Sequence, residues 1–221
     1  ILWGNNKWNF KKISKNKKKP IKYSINGSLK KYNSMFNKKY WLNPKNNEKN
    51  IFKIILKNVS KLIPYNFIYT NNFNESIIDF NITNNKFFLD MYGSTSIVGS
   101  GNPPGTHYSW TLGNAKTNWD TDGCIWLNTN YWNRNNLNES SWGYLIILHE
   151  LGHALGLAHP HDEGGQSKIM NGVKHSLDKG RYNQNDFIYT VMTYIDDHSN
   201  YGTKSRTNYG YCKNFMGIDI S

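Results

Sequence analysis

Five residues in one short run could do chemistry together: His149, Glu150, His153, Gly156 and His159. His149 and His153 stand four apart. On an α-helix that spacing puts both imidazoles on one face, one turn apart, where two neutral rings can close on a single metal ion. Glu150 is one step round the helix and looks towards the open side of such an ion rather than filling a ligand position. Gly156 follows His153 by three residues, where a helix can end in a left-handed residue that only glycine adopts cheaply. The chain then turns back and brings His159 to the same ion. Three histidines leave one position for water, the arrangement of a catalytic zinc rather than a structural one.

These residues need a helix to hold them. The spacing predicts one from Trp142 to about Leu155, capped by Ser140 or Ser141, with Leu145, Ile146, Leu148, Leu151 and Leu155 burying the rest of its surface. Earlier in the chain, Ile21–Ile25 alternates as a strand and Asn26-Gly27 is a turn signal. Asn43-Pro44 reads as the start of a first long helix whose stripe of Ile51, Ile55, Val59 and Leu62 ends before Pro64. Phe67–Thr70, Ile77–Ile82, Thr106–Trp110 and Cys124–Asn128 read as strands, and the segment from Gly99 to Gly105 as a loop. Lys86–Tyr92 carries no decisive period. Met216–Ile220 opens a third helix that the chain cuts off. The order predicts an α+β fold: one mixed, twisted sheet packed on two long helices, the second bearing the histidines. With no internal repeat and no long linker, the chain is expected to form a single domain over residues 1–221, with a basic N-terminal arm over residues 1–20.

Composition bounds the function. No apolar run is long enough to span a bilayer. The net charge of +12 is uneven: residues 1–61 carry seventeen lysines and one acid, Glu48. No nucleic-acid motif accompanies that charge, and lysine, asparagine and isoleucine are abundant together, so compositional bias accounts for it and no nucleic-acid partner is expected. Two cysteines, Cys124 and Cys212, make neither a disulfide framework nor a Cys-type zinc site; one disulfide and two free thiols both stay open.

The eleven-residue run resembles the zinc signature of the metzincin endopeptidases, and the chain is most similar to the serralysin group. Pro160, directly after the last histidine, is the serralysin-like residue. Val191-Met192-Thr193-Tyr194 resembles the family's Met-turn. Gly123–Asn128 resembles the family's strand before the zinc helix, with Cys124 in the place of the usual Asp. Ile21–Ile25 and Met216–Ile220 resemble the first strand and the closing helix. The resemblance implies a metzincin-like fold and a secreted zinc endopeptidase. It implies zinc on His149, His153 and His159, Glu150 as general base, Met192 packed beneath the site, and Tyr194 as an additional zinc ligand that swings away to stabilise the transition state. It also implies a protein or peptide substrate added as a strand along Thr106-His107-Tyr108-Ser109-Trp110. The calcium-binding repeats that follow such domains do not occur in this sequence, so calcium is expected only in a full-length protein and is not placed here. A monomer is expected.

Two other readings compete: a metzincin of another subfamily, matrix-metalloprotease-like, and a basic binding module with a non-catalytic zinc site. His161, two residues past the third ligand, is expected to be a solvated loop histidine, and His107 an exposed strand residue. His175 and His198 have no partner pattern. Asp162, Asp196 and Asp197 are expected to be solvated.

Overall fold

The alternation at Ile21–Ile25 produces the first strand, β1, as expected. In the computed structural model, which describes residues 20–27, 38–104, 107–112, 115–120, 122–135, 137–162, 168–196 and 210–220, β1 is the second strand of a five-stranded sheet. The others are β2 (Phe67–Tyr69), β3 (Ile78–Thr83), β4 (Gly99–Gly101) and β7 (Cys124–Asn128), in the order β2-β1-β3-β7-β4. All neighbours are parallel except β4, which runs antiparallel to β7 with Ser100 opposite Trp126. Strands β5 (His107–Leu112) and β6 (Ala115–Asp120) form a separate antiparallel hairpin. The basic stretch over residues 1–19, Thr106, Asp197 and His198 lie outside the described residues.

Period-two alternation sorts the central strands onto two layers. Ile78, Phe80, Ile82, Ile125 and Leu127 face the main core with helices α1 (Asn46–Val59) and α3 (Trp142–Leu155). Phe52 of α1 stacks on Phe80 at 4.4 Å. Cys124 and Trp126 point the other way, onto Phe87 and Phe88 of the short helix α2 (Asn85–Tyr92), where Trp126 stacks on Phe87 at 4.9 Å. This is the α+β architecture with one mixed sheet and two long helices that the sequence predicts.

Two boundaries differ from expectation for identifiable reasons. Helix α1 starts after Lys45, not at Asn43-Pro44, because the Glu48 carboxylate reaches back to accept the Lys45 N–H at 2.8 Å. Glu48 is fully buried and is gripped by Arg134 through Nε and Nη2, both at 2.7 Å; Nη2 also donates to the Asn43 carbonyl. A buried carboxylate so paired fixes the first turn around itself. Helix α2 escaped a periodicity reading because it has only eight residues; its ends are set instead by Asn84, whose side chain accepts the Phe87 N–H, and by Gly93 at φ 73°. A last helix, α4 (Gly217–Ile220), closes the described chain. No helix among the described residues is long and apolar enough to cross a membrane.

Candidate metal centre

Helix α3 begins at Ser141, whose hydroxyl accepts the Tyr144 N–H at 3.3 Å. It ends at Gly156, with φ of 103°. There the Leu157 N–H bonds the Gly152 carbonyl at 2.9 Å and the Gly156 N–H bonds the His153 carbonyl at 2.8 Å. These are the paired bonds of a Schellman turn, and the positive φ requires glycine. The turn reverses the chain and brings His159 back over the helix. Its Nε2 then lies 3.1 Å from Nε2 of His149 and 3.0 Å from Nε2 of His153.

The other ring nitrogens decide what those close approaches are. Nδ1 of His149 is 2.7 Å from the Val191 carbonyl, Nδ1 of His153 is 2.8 Å from the Leu157 carbonyl, and Nδ1 of His159 is 2.5 Å from the Asp162 carboxylate. Carbonyl and carboxylate oxygens only accept, so each ring donates its proton from Nδ1. In neutral rings the three Nε2 atoms therefore present lone pairs to one another, an arrangement that repels unless a cation sits between them. Tetrahedral zinc at about 2.0–2.1 Å from each nitrogen requires nitrogens about 3.3 Å apart, close to the spacing seen. The three histidines could hold one metal ion, each oriented by a second partner as metal-binding histidines are.

Electrostatics favours neutral rings at His149 and His153. Burial first, then the neighbouring His159, pushes His149 down to about 3, and burial with both neighbouring rings takes His153 well below the usual histidine range. Burial pushes Asp162 up, but the His159 hydrogen bond and the adjacent rings outweigh it and keep it below the usual carboxylate range. Glu150, 4 % exposed, is pushed up to about 8 by burial, partly offset by a hydrogen bond from the Gly101 backbone. A divalent cation beside it would favour the carboxylate.

These groups line one cleft of about 940 Å³, with Gly99, Ser100 and Gly101 on one wall and Tyr194 on another. The Tyr194 ring lies 4.5 Å from His159 and 6.0 Å from His149. Partial burial, then the Glu150 and Asp162 charges, raise its phenol above the ordinary tyrosine range, so it is a neutral hydrogen-bond donor at physiological pH. Met192 packs under α3: a Cβ on Gly152 would lie 2.5 Å from its sulfur.

Three expectations change. Among the described residues the strand that lines the cleft is β4, whereas His107–Trp110 belong to β5, which pairs with β6 in a separate sheet; Thr106 lies outside the described residues. The glycines together with Pro103 and Pro104 make the segment from Gly99 to Gly105 read as a loop in the sequence. Here the alternating glycines let a strand approach a helix: a Cβ at Gly101 would sit 2.1 Å from the Glu150 carbonyl oxygen, and one at Gly99 2.8 Å from the Glu150 carboxylate. Asp162 is not simply solvated, since it holds His159. His161 is not an open loop residue either; its ring stacks on His159 at 5.1 Å and 13°. The spacing of Asp162, three residues after His159 in a turn, was the available signal.

A serralysin of Proteus mirabilis is 32 % identical over 80 residues, 36 % of this chain and 15 % of that protein. A serralysin of Photorhabdus laumondii subsp. laumondii is 27 % identical over 145 residues, 66 % of this chain and 26 % of that protein. The chain thus matches about a quarter or less of the length of these relatives. The matrixin family model matches residues 15–192, a span running from the N-terminal lysines through both long helices and the three convergent imidazoles to Met192, and the chain belongs to that family of metzincin-type metallopeptidases.

Proposed function

We propose that this chain is the catalytic part of a secreted, serralysin-like zinc endopeptidase. The observation that carries the proposal is the Nε2 atom of His159 within 3.1 Å of the Nε2 atoms of both His149 and His153, with the Nδ1 partners of all three rings leaving only lone pairs facing inward. His149, His153 and His159 would hold the zinc ion, which would supply Lewis acidity for the scissile carbonyl and for an attacking water near neutral pH. Glu150 takes the proton of the attacking water and hands it to the leaving amine. The Gly101 N–H steadies its carboxylate. Tyr194 donates its hydroxyl proton as a hydrogen bond to the oxygen on which negative charge develops. The substrate lies along β4, which already runs antiparallel to β7, and adds as an extended strand through main-chain hydrogen bonds.

The serralysin-like assignment rests on Pro160 and on the 4.5 Å approach of Tyr194 to His159. The test is hydrolysis of an unfolded protein such as casein by zinc-loaded chain. Chelation is expected to abolish cleavage and zinc to restore it. Zinc-loaded chain that cuts nothing while binding anionic polymer in a salt-dependent way would favour the basic binding module instead. Tyr194→Phe is expected to lower kcat by about 10²–10³-fold, the usual loss for one oxyanion donor, with zinc content unchanged. An unaltered kcat would move the chain towards a matrix-metalloprotease-like mechanism.

A further inference from the structure

We infer that Asp219, on the closing helix α4, is a positioning residue for His149, acting through the turn Thr190–Met192. The inference rests on the metal-site reading above and extends it to a residue outside the cleft. Asp219 is 9 % exposed. Its Oδ1 accepts the Thr190 hydroxyl at 2.5 Å, and its Oδ2 accepts the backbone N–H of Val191 at 3.0 Å and of Met216 at 2.8 Å. The Thr190 hydroxyl oxygen in turn accepts the Met192 N–H at 3.0 Å.

Two successive peptide planes are fixed this way. Asp219 holds the plane between Thr190 and Val191 directly, by its N–H. It holds the next plane through Thr190, whose hydroxyl has its proton committed to Asp219 and a lone pair to the Met192 N–H. That second plane carries the Val191 carbonyl, which receives Nδ1–H of His149 at 2.7 Å. Thr190, Val191 and Met192 are all at most 2 % exposed, so no water replaces a lost partner cheaply. The relay is continuous: carboxylate, hydroxyl, peptide plane, imidazole. Such outer partners typically control 10–100-fold in metal affinity.

The test is the rate at which Zn²⁺ passes from the loaded chain to a chromophoric chelator, with folding checked independently by circular dichroism. Asp219→Ala is expected to release zinc about 10–100-fold faster. Asp219→Asn is expected to restore most of the retention, because one amide oxygen can take both backbone N–H groups while the amide nitrogen faces the Thr190 hydroxyl. Thr190→Val, nearly isosteric and independent of Asp219 folding defects, is expected to release zinc faster as well. Folded Asp219→Ala that loses thermal stability yet keeps the original release rate would make the residue merely structural and overturn the inference. If Asp219→Ala does not fold, an unchanged release rate in Thr190→Val overturns it. Unaltered chain that takes up no zinc overturns the metal reading itself, and this relay with it.

Discussion

Glu150→Gln is expected to leave zinc uptake at the level of the unaltered chain and to lower peptide hydrolysis by about 10²–10⁴-fold, the range spanned by a positioned general base. The substitution keeps the shape of a side chain that fits between α3 and the glycines of β4, so it isolates the proton transfer. Glutamine cannot accept the proton of an attacking water, yet its amide oxygen can still take the Gly101 N–H. Zinc stoichiometry and casein turnover, measured on one preparation, check it. Full turnover in the zinc-loaded variant would place the base elsewhere.

The second large effect is expected at Gly101. Alanine there puts a Cβ 2.1 Å from the Glu150 carbonyl oxygen and 2.9 Å from the His153 Cβ. Both obstacles belong to α3, and a backbone oxygen cannot rotate aside as a side chain does. Strand and helix must separate, so Gly101→Ala is expected to lose about 3 kcal/mol or more, the upper part of the range for an overfilled interior. For a domain of this size that lowers Tm by about 6–12 °C. Thermal unfolding with and without zinc is the measurement. An unchanged Tm would mean that β4 does not lie where its glycines allow.

Much of the site was legible because its geometry is local. His149, His153 and His159 fall within eleven residues, and helical spacing plus one left-handed glycine suffices to bring them together. The strands β1, β3 and β7 were legible because period-two alternation survives burial on both faces. What escaped was contact between distant segments. Nothing in the spacing of Gly99 and Gly101 says whether glycine marks a turn or a close approach; only the helix lying across them decides. The Val191 carbonyl and Asp219 act through backbone groups and a carboxylate 42 and 28 residues from their partners, and no short-range pattern encodes that. The start of α1 was misplaced for the same reason, since Arg134, 86 residues on, holds Glu48.

Helix α3 meets an absent side chain on two sides. Met192 sulfur occupies the space a Cβ on Gly152 would take, and the Glu150 carbonyl with the His153 Cβ occupies the space a Cβ on Gly101 would take. A helix of close-packed side chains can usually roll a few degrees and repack. This one sits like a shaft keyed from two directions: rolling it by one residue, about 100°, would drive Leu151 or His153 into the slot cut for Gly152. The azimuth of the helix, and with it the direction in which His149 and His153 present their nitrogens, is set by where atoms are missing as much as by where they are.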